Sequence, residues 1–370
     1  MKIICQKSDL LNSVNIVLKA VPGRSTMPIL ECIVIEAKQE RIKLTANDME
    51  LGIETYVKGT IEALGAVAIN AKVFSEIIRK LPDSDITIST DEHDMASITC
   101  EKSKFTIAGK SSEEFPFLPQ IEKSTGITLS QFTLRELIRQ TVFSISDNES
   151  NKIMTGELFE INDGVLRVVS LDGHRISIRK IELREVYEPV KVIVPGKTLL
   201  EISKILSGEI SDEVNLFFTE KQILFEFGET IVLSRLIEGE YYRIDQMLSG
   251  DYETKVTANK KELLNCIDRA TLLIKESEKK PIIVGVTENT MELKINSSIG
   301  SMNEELDITK EGKDILIGFN PKFLIDALRA IDDEEVTMYM TNPKAPCFMK
   351  DKAETYIYLI LPVNFNAAAY

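Results

Sequence analysis

The sequence predicts an α+β protein built from three repeated domains, each with two helices packed on antiparallel sheets. Three observations lead there. A helix-sized stretch recurs at a spacing of 125 residues: NAKVFSEIIRKL at 70–81, PGKTLLEISKIL at 195–206 and NPKFLIDALRAI at 320–331. The same strand patterns flank each copy. A second helix-forming stretch opens each unit, with Asp9, Glu136 and Glu262 in register at offsets of 127 and 126 residues. So long a period exceeds a solenoid repeat and suffices for a domain.

The elements follow in order. The opening helices are expected at 7–19, 133–144 and 260–275. Between the two helices of each unit lie strands such as RIKLTAN, VLRVVSL and MELKINS. An apolar strand (AVAIN, KVIVP, DILIGF) precedes each second helix, and an alternating one (DITIST, EVNLFF, EVTMYM) follows it. Each unit closes on KFTIAG, TIVLSRL or TYIYLILP. Boundaries fall near Lys123 and Ser249, giving domains of 1–123, 124–248 and 249–370. The non-periodic stretches SSEEFPFLPQIEKSTG and SGDYETK sit where linkers belong, and KESEKKP at 275–281 reads as a solvated turn. Each domain is itself compatible with two halves of about 60 residues, though no residue matching reveals them.

In the recurring helix, Lys72, Lys197 and Lys322 form one column, Glu76, Glu201 and Asp326 a second, and Arg79, Lys204 and Arg329 a third. At about 100° per residue these columns share one face, and the columns headed by Phe74, Ile77 and Leu81 take the other. Each copy thus buries one side and shows a base-acid-base stripe. The six helical windows together carry +8, which leaves −22 on the rest of a chain whose net charge is −14. One positive helix is an ordinary solvated face. Six in an acidic chain point to a shared surface for a polyanion, met through its backbone without base readout, since aromatic platforms and recognition-helix clusters are missing.

Chemistry is sparse. The chain has no Trp and two His. His93 lies in a polar turn, and His174 lies in SLDGHRIS beside Asp172 and Arg175, where Asp172-Gly173 is a turn signal. An enzyme built on Asp172, His174 and Arg175 is the alternative, but no nucleophile elbow accompanies them. VPGKT at 194–198 ends like a phosphate loop, yet Lys191 stands where its first Gly is required. Cys5, Cys32, Cys100, Cys266 and Cys347 are widely spaced without a CxxC pair, which predicts buried, reduced thiols, no zinc and no cofactor. The start MKIICQKSDLLNSV lacks a signal-peptide pattern and no apolar run reaches the roughly 18 residues of a membrane helix, so a soluble cytoplasmic protein with no membrane partner is expected.

TMPIL at 26–30, AGKSSEEFPFLP at 108–119, SLDGHRIS at 170–177, VPGKTLLEISK at 194–204, SRLIEGEY at 234–241 and YLILPV at 358–363 resemble the bacterial DNA sliding clamp family, the beta subunits of DNA polymerase III, across the whole chain. The resemblance implies clamp-type domains and a head-to-tail homodimer closing a six-domain ring around duplex DNA. It implies a non-catalytic processivity factor that slides without sequence specificity. It also implies a pocket for short linear motifs, Gln plus apolar residues, through which the replicative polymerase, the clamp loader, repair proteins and other polymerases are held. At matching positions the pocket falls on Met154, Leu171, Gly173, His174, Arg175, Ile176, Tyr242, Met247, Leu361, Pro362 and Val363, with His174 and Arg175 as walls. The DNA-facing set becomes Arg24 with loop 146–152, joined by Lys72, Arg79, Lys197, Lys204, Lys322 and Arg329 of the stripes. The subunit contact is expected to set an edge strand around Phe105 and Ile107 against Leu272 and Leu273, with Lys72 near Glu304 or Glu305. Departures are Tyr242 in place of the family's Pro, Asn364 in place of Arg, no Arg-Pro in loop 146–152, and the extra tail NFNAAAY.

Overall fold

The computed structural model describes residues 1–248, 251–275 and 280–366. The expected boundary at Ser249, most of the 275–281 turn and the end of the 364–370 tail lie outside the described residues.

Six helices of eight residues or more occur among the described residues: α1 (Lys7–Val17), α2 (Ala71–Lys80), α3 (Gln131–Thr141), α4 (Gly196–Ser203), α5 (Lys260–Thr271) and α6 (Pro321–Ala330). Their starts have a shared chemical cause. Asn70, Asn259 and Asn320 each cap a helix, accepting from Val73 N at 3.1 Å, Glu262 N at 3.0 Å and Lys322 N at 3.0 Å. Such caps satisfy backbone donors that the first turn leaves orphaned. Ser130 Oγ does the same for Thr133 N at 3.0 Å.

Each of these six helices sits in one plan: a strand, the helix, then three strands. The plan occurs six times, with one added short strand, Thr60–Ala63, in the first copy. These are the half-domains that residue matching cannot show. What recurs is an order of elements and a burial pattern, and many apolar residues satisfy both.

The chain divides into two compact units. One comprises Met1–Leu134 with Leu200–Leu236, the other Arg135–Leu199 with Ile237–Tyr370. Each unit holds one antiparallel sheet, of 13 and 12 strands respectively. In the first, closing strand Thr230–Arg235 adds to Leu51–Val57, Val232 opposite Ile53. In the second, closing strand Tyr356–Ile360 adds to Arg175–Glu182, Tyr358 opposite Ser177. One repeat's last strand thus continues the preceding repeat's sheet, and an edge that would attract foreign strands is covered.

Within the second unit, α5 and α6 bury Leu263, Cys266, Ile267, Leu324 and Leu328 against the strands that follow them. The 111–126 stretch is less of a linker than its composition suggests. Phe115 is buried with Ile29, Leu30 and Val34, Asn47 Nδ2 donates to Pro116 O at 2.7 Å, and Lys43 lies over the Phe117 ring at 5.6 Å. The FPF triplet straps an otherwise polar segment down, because burying aromatic surface outweighs the ordering it costs.

All five cysteines are buried and unbridged, and burial pushes the Cys5, Cys266 and Cys347 thiols up to about 12. No cluster of metal-ligating side chains occurs among the described residues, and no described helix is long and apolar enough to cross a membrane.

Candidate functional site

Strands Val165–Leu171 and Arg175–Glu182 form a hairpin with Leu171 opposite Ile176. Its turn is built by two residues. Gly173 takes φ +87°, a left-handed conformation open to glycine at no steric cost. Asp172 Oδ1 accepts from His174 N at 2.9 Å and Arg175 N at 3.1 Å.

Arg175 is 6% exposed, and its guanidinium is satisfied within the second unit. Nε donates to Asp172 Oδ2 at 3.0 Å, a terminal nitrogen to Asp326 Oδ2 at 2.7 Å, and the other to the Phe143 carbonyl. The Phe323 and Phe143 rings lie 4.4 and 5.5 Å from its central carbon. Arg175, expected as a binding-site wall, thus has its guanidinium engaged inside the unit. It is a strut beneath the wall, joining the hairpin, α6 and the Val142–Ser144 turn, and its charge is spent internally. A planar fork with aromatic stacking suits this role as no lysine would.

His174 sits above that strut. Its carbonyl accepts from Leu361 N at 2.8 Å, and its ring stacks on Phe323 with centroids 6.2 Å apart. Asp172 is consumed by the turn and by Arg175, so it is not the partner that would make an acid-base pair of His174.

A cavity of about 740 Å³ opens here, lined by His174, Leu361, Pro362 and Val363 together with Asn320, Lys322, Phe323, Asp326 and Arg329 of α6 and its cap. Val363 N donates to Gly318 O at 2.8 Å, and a Cβ at Gly318 would stand 2.8 Å from Phe365, so that position has no room for a side chain. Of the other expected pocket residues, Leu171 and Ile176 are buried in an apolar cluster with Leu158, Ile178, Tyr241 and Leu359, and Met154 packs against it. Met247, on the short helix Asp245–Leu248, is 57% exposed. Tyr242 is exposed, and its hydroxyl accepts from Asn151 Nδ2 at 2.6 Å, a contact to loop 146–152 that proline could not make. Of the eleven residues, His174, Leu361, Pro362 and Val363 thus line the cavity, while Met154, Leu171 and Ile176 belong to the apolar cluster of the same unit. Asn320 and Phe323 went unrecognised; their helical spacing reads equally well as a cap and a core position.

The stripe bases Lys72, Arg79, Lys197, Lys204, Lys322 and Arg329 are as exposed as their periodicity predicts, and Arg24, outside the helices, faces solvent as well. Their acids are not spectators. Glu76 pairs with Arg79, Glu201 with Lys204 at 2.7 Å, and Asp268 of α5 with Arg329 at 3.4 Å. Asp326, the third acid, leaves its stripe for Arg175.

Two strands keep an open side. Ser103–Lys110 pairs along Met95–Cys100 but meets Gly65–Asn70 only through Gly109 and Lys110. Ser301–Gly312 pairs with Thr290–Asn296 as far as Asp307, then with Thr254–Asn259. Phe105 on the first strand is 41% exposed and Ile107 half-buried; Leu272, after α5, is 77% exposed, while Leu273 turns toward the core. Glu304 is already paired with Arg269 of its own chain.

Near the pocket's apolar cluster, Glu157 is fully buried and both carboxylate oxygens lack a partner. Burial holds its carboxyl well above the usual carboxylate range; the Thr141 hydroxyl opposes this weakly, because it donates to Leu137 O at 2.6 Å. The folded state therefore keeps a proton that the unfolded chain loses above its ordinary carboxylate range, and stability falls as pH rises through that window. Glu157→Gln is expected to stabilise the protein by about 1–3 kcal/mol at pH 8 and by less at pH 5. Melting curves at both values check this; equal shifts at the two pH values would mean that the group titrates normally.

Sequence profiles of the DNA polymerase III beta subunit match the chain in three successive blocks: the N-terminal domain at residues 1–119, the central domain at 128–242 and the C-terminal domain at 245–364. The chain belongs to the DNA polymerase III beta subunit family. A beta sliding clamp of Staphylococcus aureus is 34% identical over 98% of this chain and 99% of its own length. Among solved structures, a putative beta subunit from Eubacterium rectale is 64% identical with a TM-score of 0.96, covering 99% of this chain and all of that one. The sliding clamp of Bacillus subtilis is 34% identical with a TM-score of 0.95 over the same shares. The family's three clamp domains account for the three-fold repeat, and α2, α4 and α6 are its corresponding helices.

Proposed function

We propose that this chain is a cytoplasmic, non-catalytic processivity subunit of the replicative DNA polymerase. Two copies close head to tail into a ring of six domains, bounded in each chain at 1–123, 124–248 and 249–370. The ring encircles duplex DNA and slides along it without reading sequence. Replicative polymerase, clamp loader and repair proteins are held through short linear motifs in the pocket around His174.

The observation that carries this is the repeated continuation of sheets. Twice within the chain, a repeat's closing strand adds to the preceding repeat's sheet. The closing strand of the first repeat, Ser103–Lys110, and Ser301–Gly312 of the third, the counterpart of the accepting strands Leu51–Val57 and Arg175–Glu182, are left with open sides among the described residues. A second copy supplies each with the other. The first strand carries Lys104 and Lys110, the second Glu304, Glu305 and Asp307. Like edges repel and unlike edges attract, which favours a head-to-tail contact that closes with two chains. Exposed bases on each stripe then face phosphate, while the acidic remainder keeps the outer surface from competing for it.

The test is retention on DNA. The protein is loaded by its clamp loader onto nicked circular DNA, washed in high salt, and the circle is then cut. Retention on the circle with loss after cutting supports topological linkage. Binding that vanishes in salt and ignores the cut would mean a simple basic patch.

A further inference from the structure

We infer that the end of α3 and the turn behind it, residues 139–144, form a latch: they rest on a polar bed in their own repeat, the third repeat holds them shut, and their opening frees loop 146–152. The bed emerges when the repeats are compared position by position. The eleventh residue of α1, α3 and α5 is Val17, Thr141 and Ala270. Three residues further stand Ala20, Ser144 and Leu273. In the strands beneath, Ile33, Glu157 and Ile282 correspond, each paired with the residue two places before its repeat's second helix. So do the cross-strand pairs Ala46 with Ile53, Ser170 with Ser177, and Ile295 with Met302. At each of these positions the first and third repeats carry an apolar residue and the second a polar one, buried all the same.

Such a bed grips weakly. Ser170 Oγ donates to Thr141 O at 2.5 Å, the Ser144 and Ser177 hydroxyls lie 2.6 Å apart, and Glu157 leaves the cluster only partly satisfied. A hydroxyl contact contributes less than the hydrocarbon it replaces, and water restores what an unpartnered carboxyl lacks once the segment lifts. What holds the segment is a clasp from the third repeat. Arg139 donates to both oxygens of Asp332 at 2.8 and 3.0 Å and to Arg329 O at 3.1 Å. Gln140 Nε2 donates to Asp332 Oδ2 at 2.9 Å, and Gln140 O accepts from the Tyr358 hydroxyl at 3.0 Å. Phe143 packs against the third repeat's core, and its carbonyl accepts from Arg175. Asp332 is exposed, so the clasp works in water, where ion pairs are weak and reversible. Loop 146–152, expected to face DNA, begins two residues beyond, with Ser146 N on Met154 O at 2.8 Å, so the latch sets its freedom.

Hydrogen–deuterium exchange read by mass spectrometry tests this on the full chain at one pH and temperature. In the native protein, amides of 139–146 should exchange roughly tenfold or more faster than those at the ends of α1 and α5, whose beds are apolar. Asp332→Ala, at an exposed position, should speed 139–146 by roughly a further three- to tenfold, the weight of an exposed ion pair with its added hydrogen bonds. Strand Gly156–Asn162 of the same repeat should keep its native rate. Equal protection of the three helix ends overturns the inference. So does an Asp332→Ala variant in which 139–146 exchanges at the native rate, or in which the whole repeat loosens together.

Discussion

Arg175→Ala is expected to destabilise the second unit by about 3–5 kcal/mol, the cost of removing one member of a buried charged network. Asp172 and Asp326 would be left mostly buried without their cation, the Phe143 carbonyl would lose its donor, and two aromatic rings would face a void. Motif binding should go with it, because the turn that presents His174 hangs on the same arginine. Arg175→Lys should recover only part, since one ammonium cannot span three acceptors and stack on a ring. Chemical denaturation followed by tyrosine fluorescence measures the change. A loss under about 1 kcal/mol would mean that the network is worth no more than an exposed ion pair, and the strut would lose its standing.

Leu272→Asp is expected to convert the dimer to monomers. Leu272 is 77% exposed in the single chain, so the variant should melt like the native protein. At the proposed subunit contact, burial of the leucine would contribute about 1.5–3 kcal/mol, and a buried unpaired aspartate would cost several more. A two-chain ring carries the change at both contacts, so the dissociation constant should rise by roughly four decades or more at about 1.4 kcal/mol per decade. Light scattering at micromolar concentration reads the outcome. An unchanged dimer would remove Leu272 from the interface, and a clamp that still holds circular DNA would argue against the contact as drawn.

Much of the architecture can be read without coordinates because it is written in short periods. Columns such as Lys72, Lys197 and Lys322 repeat at a fixed offset, and their exposure follows from 3.6 residues per turn. The strands RIKLTAN, VLRVVSL and EVTMYM keep the bounds that their patterns predict. The pocket is less transparent. Met154, Leu171, His174 and Leu361 are accessible to family resemblance, whereas Asn320 and Phe323 look like a helix cap and an amphipathic face. Nothing local distinguishes a cap beside a cavity from a cap beside solvent.

The sequence by itself determined the three-fold repeat, the two helices and closing strand of each unit, the basic faces and the family, all carried by spacings within a few residues or by recurrence at about 125. The tertiary structure alone decided the six-fold strand–helix–three-strand plan, the strapping of Phe115, the orphaned carboxyl of Glu157 and the different fates of equivalent acids. Glu76 and Glu201 stay on their stripes, while Asp326 turns to Arg175, 151 residues away in the chain. The reason is physical. Helical periodicity sets which face a side chain leaves from, but a charge settles on whichever partner is desolvated beside it, and only folding brings that partner near.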